Sequence, residues 1–106
     1  MAQFDVHRYP GRGHDGIAYI VVVQSAFFDD YHRRVVVPLV RKSDFGGAYP
    51  ARFAPTFVIG KERVVLTPLD VFSLPLDTLG EPVASLAEHG QQIVDAMDEL
   101  TTRAFG

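Results

Sequence analysis

The apolar positions of this chain fall into two regimes. From Ile17 to Val23, and again from Val35 to Val40, the sequence is almost continuously apolar and rich in β-branched residues. That is the pattern of strands buried on both faces. Between the two runs lies a short polar segment carrying adjacent phenylalanines, Phe27 and Phe28. The stretch Val22 to Val40 therefore predicts a buried hairpin presenting an aromatic tip. Pro38 sits inside the second run and has no N–H for a ladder, so the strand should bend, bulge or run along an edge there. A corner between two sheets would suit it.

The remaining segments are shorter. Gln3 to His7 alternates, with Phe4 and Val6 on one face and Gln3, Asp5 and His7 on the other, and predicts a half-buried strand. Pro10 to Gly16 holds three glycines and a proline and reads as a mobile turn. Arg41 to Ala54 keeps no period, which suggests a loop or one short turn of helix. Thr56 to Ile59 and Arg63 to Thr67 predict strands joined by Gly60-Lys61-Glu62. Val71 to Leu74 predicts a further short strand.

Towards the C-terminus the period changes from two to about 3.6. Ser85-Leu86-Ala87-Glu88 has capping-box spacing. Ile93, Met97 and Leu100 then share one helical face with Ala96 and Ala104 beside them, while Gln91, Asp95 and Asp98 point outward. Gly90 should weaken this helix by roughly 1 kcal/mol relative to alanine. Several short antiparallel strands followed by one terminal helix predict a mainly β (α+β), barrel-like fold.

Composition narrows this picture. With 106 residues, 47% hydrophobic and 22% charged, residues 1–106 are expected to form one domain with a small core, which a homodimer would help to bury. The absence of cysteine excludes a disulfide framework and a thiolate nucleophile, and fits a cytoplasmic protein. Neither a signal peptide nor a membrane-spanning run is recognisable. A net charge of −3 with scattered Lys and Arg disfavours direct nucleic-acid binding. His7, His14, His32 and His89 lack the i, i+4 spacing of a metal site, so neither a metal nor another cofactor is expected.

Three clusters carry candidate chemistry. Asp29-Asp30-Tyr31-His32-Arg33-Arg34 concentrates acid, base and cation, as a ribonuclease would need, but neighbouring side chains on a strand point to opposite faces and cannot all converge on one phosphate. Gly11-Arg12-Gly13 lacks the lysine and the following helix of a phosphate loop and reads as a turn. At Phe27-Phe28, at least one ring should be exposed unless a partner or a second protomer covers it.

The placing of Gln3-Phe4, Val23-Gln24-Ser25, Arg33-Arg34 with Pro38-Leu39, Ile59-Gly60, Leu74-Pro75 and Gly80-Glu81 resembles the CcdB family of bacterial toxins. The resemblance implies an SH3-like barrel with a small accessory sheet and a C-terminal helix. It implies a non-catalytic homodimer that binds the GyrA-type chain of DNA gyrase, its A subunit, traps the cleaved-DNA complex and is neutralised by a CcdA-like antitoxin. Phe27 and Phe28 occupy the places of an aliphatic pair at the family's target-binding surface. Asp98 stands where the family usually has asparagine. The family's terminal Trp-Gly-Ile aligns without a gap to Thr102, Arg103 and Ala104, or, displaced, to Phe105-Gly106. These departures raise one alternative, a diverged non-toxic CcdB-like binding protein; the Asp29–Arg34 cluster raises another, an endoribonuclease of the MazF/PemK type with a related fold.

Overall fold

A computed structural model of the chain describes residues 2–11 and 16–103, with Arg103 described in its backbone only. Its strands are β1 (Asp5–Arg8), β2 (Ile17–Val22), β3 (Arg33–Arg41), β4 (Thr56–Ile59), β5 (Glu62–Leu66), β6 (Phe72–Pro75) and β7 (Ala84–Ser85). One α-helix, α1 (Gly90–Asp98), follows them. All pairings are antiparallel, in the order β4-β5-β3-β2-β1-β7 with β6 branching from β3, and the sheet curls into a nearly closed barrel. This is the α+β, barrel-like class expected. Among the described residues no helix is long and apolar enough to cross a membrane.

The two continuous apolar runs become β2 and β3, paired through Val21↔Val37 and Ile20↔Pro38. Both faces are covered. Val6, Val21, Val37 and Leu39 pack inward with Phe57, Ile59, Val64 and Leu66, and the helix seals that core with Ile93 and Ala96. On the opposite face Ile20, Val22 and Val36 pack with Leu79 under Tyr9, Phe72 and Leu74.

Pro38 marks an exchange of partners. Residues 33–36 of β3 pair with β6, whereas residues 39–41 pair with β5. The Pro38 carbonyl accepts from both the amide and the hydroxyl of Thr67. In a strand the N–H and C=O of one residue point to the same side, so the donor that proline lacks falls where neither neighbouring strand is paired. The β4–β5 hairpin is tighter than expected: Ile59 pairs with Glu62, leaving a two-residue turn in which Gly60 takes φ +63°. Positive φ at the first central position is what a type II′ turn requires of glycine.

Two local expectations are corrected. Alternation puts His7 on the polar face of its strand, but the residue is fully buried, with Nδ1 donating to the Gly80 carbonyl at 2.9 Å. The pattern misleads because the segment 79–83 covers the outer side of β1, and Val83 N bonds to Val6 O. The capping box is not formed either: Ser85 Oγ accepts from Ala87 N, two residues on, at the start of a 3₁₀ turn over Ala87–His89. The α-helix begins only at Gly90, with no side-chain cap.

Gly90 has a packing reason that its helix propensity conceals. A Cβ there would lie 2.6 Å from Cε2 of Phe4, so the ring of Phe4 rests against the bare helix backbone. Phe4 itself has φ +71°, a costly conformation for a bulky residue. It is fixed because its amide donates to Val22 O and its carbonyl accepts from Leu86 N. Gly90→Ala should therefore destabilise the protein by about 1 kcal/mol or more through overpacking, although helix propensity alone favours alanine by a similar amount. Urea unfolding gives the sign directly, and a stabilised variant would show that Phe4 can move aside.

Candidate functional site: an aromatic hairpin tip

The β2–β3 connection is built to hold its backbone and release its aromatic side chains. Ala26–Phe28 forms a 3₁₀ turn, in which Ser25 Oγ accepts from Phe27 N at 3.2 Å. Gln24 acts as a latch across the base of the hairpin. Its Nε2 donates to Phe28 O at 3.0 Å and its Oε1 accepts from Val35 N at 3.0 Å. These bonds engage main-chain atoms only, leaving the rings of 27 and 28 unconstrained by them.

Beneath the tip lies Arg34, only 2% exposed. Its Nη1 donates to Tyr31 O at 2.6 Å and Arg33 O at 3.0 Å, and its Nη2 donates to Asp29 O at 2.8 Å. The Asp29 carboxylate is farther away, at 3.9 Å. The terminal nitrogens are thus satisfied chiefly by carbonyl dipoles, which fold the chain from 29 to 33 around them, while Nε has no hydrogen-bond partner among the described residues. Arg33 points the other way and binds Ser73 through its Oγ and carbonyl. The two arginines do not converge, as strand alternation requires, and only Arg33 is open to solvent.

The aromatic surface above is continuous. Phe27 is 85% exposed and meets Phe28 edge to face at 5.1 Å, and Phe28 stacks on Tyr31 at 5.9 Å. Phe28 and Tyr31 border an open depression of about 670 Å³ that continues over Val23, Val35 and Ser73. Apolar surface of this kind, rimmed by Gln24, His32 and Arg33, is typical of a protein-binding patch. The two phenylalanines are conspicuous in the sequence. Tyr31 is not evident there as their continuation, because in a strand-like reading Tyr31 and Phe28 would not stack; a turn closed by Tyr31 N donating to Phe28 O brings them together.

The second group of expected site residues sits elsewhere. Asp98 ends α1, and with Asp95, Glu99 and Thr102 it lines a separate shallow depression. The chain continues as a π-helical turn over Glu99–Arg103, where Thr101 Oγ1 lies 3.4 Å from Met97 O. Thr102 is exposed. The side chain of Arg103, and all of Phe105 and Gly106, lie outside the described residues, as do residues 12–15 of the glycine-rich turn. Arg52 anchors this end of the helix through a 2.7 Å ion pair with Glu99, a contact no sequence spacing announced.

The curled sheet, the terminal helix and the exposed tip coincide with a family match along nearly the whole chain. The model described as CcdB protein matches residues 3–102. The chain belongs to the CcdB family. CcdB proteins are toxins of toxin–antitoxin systems that inhibit DNA gyrase without being enzymes. The matched range includes Phe27, Phe28, Asp98 and Thr102, and ends before Arg103 and Phe105.

The architecture separates what folds from what is displayed. Arg34→Met should destabilise the protein by about 2–4 kcal/mol, because the part-buried hydrogen bonds from the guanidinium to the carbonyls of Asp29, Tyr31 and Arg33 are lost. Phe27→Ala should change stability by less than about 0.5 kcal/mol, as expected of an exposed side chain. Parallel urea titrations test both: similar losses in the two variants would mean that Phe27 helps to hold the tip.

Proposed function

We propose that this protein is the toxin of a type II toxin–antitoxin pair, acting in the cytoplasm as a non-catalytic homodimer that binds the A subunit of DNA gyrase and traps it on cleaved DNA. A CcdA-like antitoxin neutralises it. The observation that best supports this reading is the Phe27-Phe28-Tyr31 surface, held out on a fixed backbone in a chain of this family. Rigid aromatic anchors lose little entropy on binding and supply most of the affinity in many interfaces. The binding surface is completed by Asp98 and Thr102 at the helix end, with Arg103, Phe105 and Gly106 from the tail. The burial of Arg34 among carbonyls weighs against the endoribonuclease alternative, since that guanidinium cannot stabilise a phosphate in transit.

The tail sets the strength of the effect. Thr102 and Arg103 stand where family poisons carry the first two residues of Trp-Gly-Ile, and a charge near an apolar contact is costly to desolvate. Phe105 is the remaining anchor. Wild-type protein should therefore form fewer gyrase cleavage complexes than the triple variant Thr102→Trp, Arg103→Gly, Ala104→Ile, and Phe105→Ala should abolish what remains. Phe28→Ala should weaken gyrase or antitoxin binding by about 2 kcal/mol, roughly 30-fold. A plasmid-cleavage assay with purified gyrase measures the first effects and calorimetry the last. Equal cleavage by all tail variants removes the C-terminus from the mechanism, and no cleavage by any of them favours the diverged, non-toxic binding protein.

A further inference from the structure

Away from the hairpin tip, the connection between β3 and β4 folds three aromatic rings around a pocket of its own. Tyr49 and Phe53 meet at 5.6 Å with their planes 72° apart, forming a corner. Phe45 closes a third side. A Cβ on Gly47 would lie 2.7 Å from Phe45 Cζ and 3.1 Å from Tyr49 Cδ2, so a residue without a side chain lets both rings approach the same stretch of backbone. Ala54, Leu66, Pro68 and Leu69 add the rest of the apolar lining, and the half-open space is about 120 Å³.

Among the described residues one charged side chain lines this space, and it is an acid. Asp70 stands at the end of the 3₁₀ turn Pro68–Asp70 and makes no ion pair among the described residues. Among the described residues no lysine, arginine or histidine contributes to the walls. Thr67, the neighbouring polar residue, has its hydroxyl hydrogen directed to Pro38 O. Aromatic faces carry negative potential and attract a cation held over them, and a methylated ammonium, being weakly hydrated, gives up little solvation to take that place. The volume is on the scale of a cavity that holds a benzene ring, roughly 150 Å³, which suits a trimethylammonium group and little more.

We propose that the pocket bounded by Phe45, Tyr49, Phe53 and Asp70 is a binding site for a quaternary ammonium headgroup. The three rings supply cation–π attraction and Asp70 the compensating charge. The site is independent of the gyrase-directed surface, so either can fail without the other.

The test is a two-dimensional NMR titration of the full chain with choline, with a trimethyllysine dipeptide, and with the uncharged isostere of choline in which carbon replaces nitrogen. Saturable shifts at the amides of Tyr49, Phe53 and Asp70 are expected, with choline or the peptide about tenfold tighter than the isostere. The tighter of the two cations identifies a free metabolite or a modified side chain as the source. Asp70→Asn should reduce the preference for the cation, and Tyr49→Leu should abolish binding. Tyr49 is half exposed, and a dispersed spectrum confirms that its variant folds; should it not fold, the exposed Asp70→Asn substitution carries the test. Equal affinity for choline and its isostere, an unchanged preference in Asp70→Asn, or no saturable shift overturns the proposal.

Discussion

A buried guanidinium must find acceptors within the protein, and Arg34 finds them on the segment it closes. Three carbonyls, from Asp29, Tyr31 and Arg33, converge on its terminal nitrogens. This converts the connection between two apolar strands into a fixed object. Without it the loop would lose three hydrogen bonds to a charged donor, each contributing about 1.5–3 kcal/mol. The Gln24 latch then ties Phe28 O to Val35 N, so the position of the turn is set from both sides. The display of Phe27, Phe28 and Tyr31 follows from that backbone and not from packing of the rings beneath the surface.

Strand β3 connects this tip to the barrel. Its first half pairs with β6 and its second half with β5, while β2 runs beside residues 36–40. Proline stands at the exchange, between the residues that pair with β6 and those that pair with β5, so its missing donor interrupts neither ladder. The two cores lie on opposite faces of this shared pair. The strand therefore transmits the orientation of the barrel to the tip without a hinge between them.

Much of this is legible from hydrophobic pattern alone. The buried pair β2–β3, the β4–β5 hairpin and the amphipathic helix follow from continuous apolar runs, a glycine turn and a shift in period. The failures share a cause. His7 alternates outward on paper, yet it bonds to Gly80, 73 residues along the chain; Ser85 and Glu88 have the spacing of a cap, yet Ser85 is still in a strand; Gly90 reads as a weak helix former until the ring of Phe4 is placed on it. Each depends on a non-local contact that a local window does not contain. The same applies to the site. Phe27 and Phe28 stand out in sequence, but the role of Arg34 is invisible there because its partners are main-chain carbonyls, which every residue possesses.

That reliance on main-chain atoms has an evolutionary reading. Ser25, Gln24 and Arg34 hold the turn through the amide of 27 and the carbonyls of 28, 29, 31 and 33, so the fold places almost no demand on which side chains occupy 27 and 28. An aliphatic pair and an aromatic pair can be mounted on the same support. The molecule thus divides into a fixed framework and an exchangeable surface, the arrangement by which antibody loops diversify on a common sandwich. A point substitution at either position can change what the tip displays while leaving the main-chain support beneath it in place.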